Sequence, residues 1–248
     1  MSETMPPIAA AAAPEAGPKL IATQHLPRDW QHLALVLWAA FSMPLLGSIS
    51  YLLGGETART PMGQVWRLCG GLISEVTGLW VLRYVMVRQG RSWRDLGWKI
   101  SLRDVPSALG LLIATAVATW GTRMLVWLVC VASSLRLPAV RPPDMVFGFG
   151  VSALSIVFVC LNPFFEELIA RAYIITEVLS LGGGRARALA VSVIVQLSYH
   201  LYQGPMNVLS LAACFTILSA YYLRSRKILP VILVHLAMDL YALLSGRF

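Results

Sequence analysis

Glu166, Glu167 and Arg171, then His200, then His235 and Asp239, put ionisable side chains into three stretches of the C-terminal third that are otherwise apolar. A charge at the centre of a membrane helix costs roughly 2.5–3.5 kcal/mol on insertion scales, so such groups pair, line a wet cavity or do chemistry. Acids and imidazoles drawn from separate segments form a hydrolytic set. An acid or imidazole takes a proton from water, and a second group stabilises the oxyanion that forms.

Spacing divides the roles. Glu166 and Glu167 are neighbours, so on a helix they point about 100° apart and cannot do the same job. Glu167 and Arg171, at i and i+4, share a face and can form an ion pair, which leaves Glu166 to face a cavity as general base. His235 and Asp239 also stand at i and i+4, so the acid can orient the imidazole or act beside it. Two mechanisms fit. In the favoured one, Glu166 and His200 polarise a water, and His235 and Asp239 stabilise the oxyanion. Asp239 then works either protonated or only through His235. In the other, His200, His235 and Glu166 hold zinc, which acidifies the water. There is no HExxH helix, no GxSxG and no serine–lysine dyad. Glu75 falls near the middle of an apolar segment, where it is expected to be protonated, paired or a wall of the cavity, while Arg83 and Arg123 lie nearer the ends of theirs, within reach of the interface.

The elements that must position these groups are membrane helices. Of 248 residues, 57% are hydrophobic and 13% charged, and the mean hydropathy is +0.69, against about 25% charged residues in an ordinary soluble domain. Apolar segments cover about 32–53, 65–87, 106–132, 145–181, 187–202, 205–223 and 228–244. None alternates as a barrel strand does, so the expectation is an all-α polytopic bundle of about seven spans. The fourth segment is too long for one straight span, and Asn162-Pro163 in its middle predicts a kink or break there. Residues 1–29 read as a disordered cytoplasmic tail and 30–248 as a single transmembrane domain, with a catalytic core over about 145–244. The net charge of +8 is spread over short loops as topology determinants are, which argues against nucleic acid and places the N-terminus in the cytoplasm. Trp93 and Trp98 suit a loop resting at headgroup level, and the four cysteines, without CxxC spacing, read as small buried hydrophobes.

At these residues the chain resembles the CAAX prenyl protease and bacteriocin-processing (CPBP) family of intramembrane proteases. The family's EExxxR motif is matched by Glu166, Glu167 and Arg171. Its FxxxH motif is matched by His200, with Gln196 where phenylalanine is usual, a position expected to pack. Its HxxxN or HxxxD motif is matched by His235 and Asp239. The similarity covers about 161–240. It implies a helical membrane enzyme that cleaves a peptide near a membrane-held C-terminus or leader, described for the family variously as glutamate-type and metal-dependent.

The reading is therefore an intramembrane endopeptidase acting on a membrane-associated peptide or protein, with the lipid bilayer as its other partner, no cofactor favoured and zinc as the alternative. A bacterial plasma membrane is the expected location. The rivals are a non-catalytic membrane scaffold that uses the same cavity and, third, a proton-coupled transporter.

Overall fold

The computed structural model describes residues 26–53, 61–136 and 151–245. These are helical apart from short connections: α1 Trp30–Leu52, α2 Pro61–Arg88, α3 Val105–Ser133, α4 Ala153–Glu166, a π-helical stretch Glu167–Tyr173, α5 Ile174–Ser180, α6 Arg185–Ser198, α7 Pro205–Ser225 and α8 Leu229–Ser245. The all-α expectation is borne out. Most of the expected tail, residues 1–25, and the start of the fourth apolar segment, 145–150, lie outside the described residues. Residues 26–29 are tied in: Leu26 donates its N–H to the Arg88 carbonyl at 2.8 Å, and Asp29 caps α1 by accepting from the His32 N–H at 2.7 Å.

Among the described residues, five stretches are long and apolar enough to cross a membrane, namely Trp30–Leu52, Val65–Arg88, Leu102–Ser133, Ala153–Ser180 and Pro205–Ser225. Two of the seven expected spans are shorter, α6 with 14 residues and α8 with 17. At a rise of about 1.5 Å per residue, 14 residues reach only about 21 Å. The outer faces carry Trp38 (73% exposed), Trp80 (75%) and Trp120 (71%). So much uncovered aromatic surface would be a liability in water and suits contact with acyl chains.

The fourth segment does not stop at Pro163. That proline sits inside α4, and helicity continues to Ser180 through seven π-helical residues, every one of them buried. The departure from α-geometry therefore falls four residues beyond the proline, at Glu167. Widened π turns are frequent at functional sites because they re-aim side chains without ending the helix.

This α4–π–α5 rod is the centre of the bundle, with α2 and α8 packed on α4 and with α6 on α5. Gly71 and Gly78 on α2 allow the close approach to α4. A Cβ at either would stand 2.7 Å from a ring carbon, of Phe158 and of Phe165 respectively. Both contacts have the same seven-residue step, so α2 and α4 run parallel and level. Around them α1 packs on α2, and α3 packs on both α7 and α8.

One end is closed by the connection between α2 and α3, which contains two short 3₁₀ turns, Trp93–Leu96 and Leu102–Asp104. Arg91 forms a buried ion pair with Glu177 of α5. Tyr222 donates to the Leu96 carbonyl at 3.2 Å, and Lys227 reaches Asp104 at 2.7 Å, whose carboxylate raises the lysine above its ordinary value. Gly97 has φ 74°, and a Cβ there would collide with the Arg226 carbonyl, so only glycine fits this crossing. The Trp98 ring packs on Phe164 of α4, centroids 5.5 Å apart.

Candidate active site

The two glutamates part at the junction between α4 and the π-helical stretch. Glu166, the last residue of α4, faces α6. Its Oε2 accepts from Gln196 Nε2 at 3.0 Å and from the Tyr199 hydroxyl at 3.1 Å, and His200 Nε2 stands 3.8 Å away. Glu167, the first π-helical residue, is fully buried and faces α8. Its Oε2 pairs with Arg171, as the i, i+4 spacing predicts, and its Oε1 accepts from His235 Nδ1 at 2.6 Å. Arg171 also lies 5.1 Å over the Phe215 ring. A guanidinium with no exposed surface needs a charge partner, which Glu167 supplies.

Both imidazoles are oriented through Nδ1. His200 follows α6 and directly precedes the turn Leu201–Gln203, from which the Gln203 amide donates to its Nδ1 at 3.2 Å. An accepting Nδ1 makes the neutral ring an Nε2–H tautomer, and that N–H looks toward Glu166. His235 donates from Nδ1 to Glu167, so its Nε2 is presented to Asp239 Oδ1 at 3.5 Å. Asn162, one turn before Glu166, donates Nδ2 to Asp239 Oδ2 at 3.3 Å. The sequence-predicted residues thus assemble into two linked halves, Glu166 with His200, and Arg171–Glu167–His235–Asp239.

Several partners had no predicted role. Gln196 was expected to pack. It is buried, but it also donates a hydrogen bond to Glu166. The signal was in its type, since an amide inside an apolar helix must find a partner. Tyr199 stacks on Phe41, centroids 4.9 Å apart, which aims its hydroxyl. Arg123 does not simply reach for the interface: it donates to Asn207 Oδ1 at 2.6 Å, and Asn207 Nδ2 donates to the Gln203 carbonyl at 3.2 Å. That chain ties α3 to the turn that follows His200. Glu75, 4% exposed, lies on α2 between the two glycine contacts with α4. Of the cysteines, only Cys214 is buried. Cys69 and Cys130 are half-buried and Cys160 is exposed, so burial does not hold for three of the four, and all four are free.

Residues 148–241 match the family model described as type II CAAX prenyl endopeptidase Rce1-like. That match bears out the CPBP resemblance. It spans all three CPBP motifs and leaves α1 to α3 outside, so Glu75 and Arg123 belong to the part of the chain that the family model does not cover. The comparison with curated proteins returned no match, and neither did that with solved structures. As to zinc, no group of three or more His, Cys, Asp or Glu side chains among the described residues is arranged to hold a metal ion. His235 Nδ1 is engaged by Glu167 and its Nε2 faces Asp239. His200, His235 and Glu166 are thus not gathered as such a group among the described residues.

Proposed function

We propose that the chain is an intramembrane endopeptidase of the CAAX-processing type, hydrolysing a peptide bond in a membrane-associated protein or peptide with a water activated by Glu166. The observation that carries this reading is the pairing of Glu166 with His200 on one side of the π-helical junction and of Glu167 with His235 on the other. Adjacent glutamates thereby serve two imidazoles from two further helices, inside a bundle with several membrane-length helices.

The chemistry follows from the contacts. Water gives a proton to the Glu166 carboxylate as its oxygen attacks the peptide carbonyl carbon, forming a tetrahedral oxyanion. His235, held by Glu167 and backed by Asp239, offers the proton that lies between its Nε2 and Asp239 to the oxyanion, so Asp239 need not meet that charge as a bare anion. His200, with Nε2–H toward Glu166, steadies the carboxylate. Glu166 then returns the proton to the departing amine nitrogen, the carbon–nitrogen bond breaks, and the proton offered by His235 stays with the His235–Asp239 pair as the carbonyl re-forms; the products are a carboxylic acid and an amine, and the acid's proton passes to the amine. Arg171 pairs with Glu167 and holds it in place. No step passes through a metal. The bilayer and the membrane-held substrate are the proposed partners, and a bacterial plasma membrane with the N-terminus on the cytoplasmic side is the proposed setting.

The test is terminal-peptide mass spectrometry on cells carrying wild type or Glu166→Gln at equal membrane levels. New termini present only with wild type are expected. An unchanged set of termini with an unchanged cellular phenotype favours the scaffold reading instead.

A further inference from the structure

Gln196 stands where the CPBP motif usually has phenylalanine, and its surroundings give it two tasks that a phenyl ring cannot perform. The side chain is fully buried on α6, and its Nε2 donates to Glu166 Oε2 at 3.0 Å. The reversed amide would set Oε1 against a carboxylate oxygen, acceptor facing acceptor, so the hydrogen bond fixes which end points where. The other end, Gln196 Oε1, is buried with no hydrogen-bond partner among the described residues. Buried amide carbonyls are rarely left so, and an unfilled one marks a place for a water or a ligand group. His200 Nε2, beside the same carboxylate, is a second buried atom without a hydrogen bond. One lacks a donor and the other lacks an acceptor. Water supplies both.

Resting on the endopeptidase reading, we infer that Gln196 is a positioning residue for the attacking water. Its amide N–H₂ and the Tyr199 hydroxyl hold Glu166 Oε2, which leaves Oε1 as the free acceptor. The water gives one hydrogen to Glu166 Oε1 and the other to Gln196 Oε1, and it accepts from His200 Nε2–H. Only the first hydrogen moves in the reaction, and the second stays on the attacking oxygen in the tetrahedral intermediate. A phenylalanine at this position supplies neither bond, so in this chain the amide carries a task the usual motif residue does not.

The test uses the full-length protein in proteoliposomes and a peptide spanning a bond whose cutting in cells is lost in E166Q. Wild type is compared with Q196M, which keeps the length of the side chain and removes both hydrogen bonds. The expected result is a fall in kcat of about 10–100-fold, with KM changed by less than about twofold and a melting temperature equal to or above that of wild type. Q196L, with a different shape, supplies the same reading should Q196M fail to accumulate. Unchanged kcat in either variant overturns the inference, as does a lowered melting temperature with kcat intact, the mark of a packing role. If no cut in cells depends on Glu166, the endopeptidase reading falls and this inference with it, a different outcome from Glu166-dependent cutting that ignores Gln196.

Discussion

Glu167 Oε1 accepts from His235 Nδ1 at 2.6 Å while its Oε2 pairs with Arg171 one turn along the same helix. One buried carboxylate therefore neutralises a buried cation and sets the tautomer and direction of an imidazole from another helix. The i, i+4 spacing foretold the first contact. The second depends on where α8 packs against the central rod.

Glu167→Gln should damage stability and activity together. Breaking a buried ion pair leaves Arg171 uncompensated, at a cost of about 3–5 kcal/mol. Adding Arg171→Met removes the stranded charge, so the double variant should regain most of the lost melting temperature while cleavage stays low, since the amide oxygen at position 167 still accepts from His235 Nδ1 but no longer supplies a charge to it. Scanning fluorimetry and a cleavage assay on both variants check this. Equal recovery of activity and stability would assign Glu167 to the ion pair alone.

Asp239→Asn bears on the oxyanion. Asn162 can still donate to the side chain at position 239, while the new amide N–H₂ faces His235 Nε2 as a permanent donor. This variant should keep more than about a tenth of wild-type activity. Asp239→Leu, with no polar group, should lose about 10²–10³-fold, the usual consequence of removing one such donor. The comparison of kcat for the two decides it.

Tyr199→Phe removes one of the two hydrogen bonds to Glu166 Oε2 and keeps the ring that stacks on Phe41. A loss of about 1 kcal/mol from the base's orientation is roughly fivefold in rate. The melting temperature should hold. A rate equal to wild type would mean that the Gln196 bond alone fixes the carboxylate.

Prolonged dialysis against a strong chelator, with metal content measured before and after, should leave the cleavage rate unchanged, because the proposed route uses Glu166 and the imidazoles without a metal. Loss of activity on dialysis that zinc restores would overturn that part of the mechanism.

How much of this lay in the sequence varies by residue. Glu166, Glu167 and Arg171 were legible because ionisable groups in an apolar helix are conspicuous and a helix fixes what i, i+1 and i+4 can share. His235 and Asp239 followed by the same rule. The link from Glu167 to His235 was hidden because a spacing rule speaks only within one element. Pro163 pointed to a break in the right segment. The backbone instead shifts hydrogen-bond register at Glu167, a choice set by tertiary packing around a fully buried stretch. Gln196 was misjudged because the motif names a phenylalanine there and the position is indeed buried. Its polarity was the neglected signal. Asn162, Gln203 and Asn207 are polar residues beside turns or a proline, where a local role always competes with a distant one, and nothing short of the packed helices separates the two.

The central claim is that Glu166 takes the proton of the attacking water. The most direct measurement is the single-turnover cleavage rate, in proteoliposomes, of a peptide carrying a cellular cut site, for wild type against Glu166→Gln. The account predicts a fall of at least about 10²–10⁴-fold with an unchanged melting temperature. Cleavage by Glu166→Gln at the wild-type rate would contradict it.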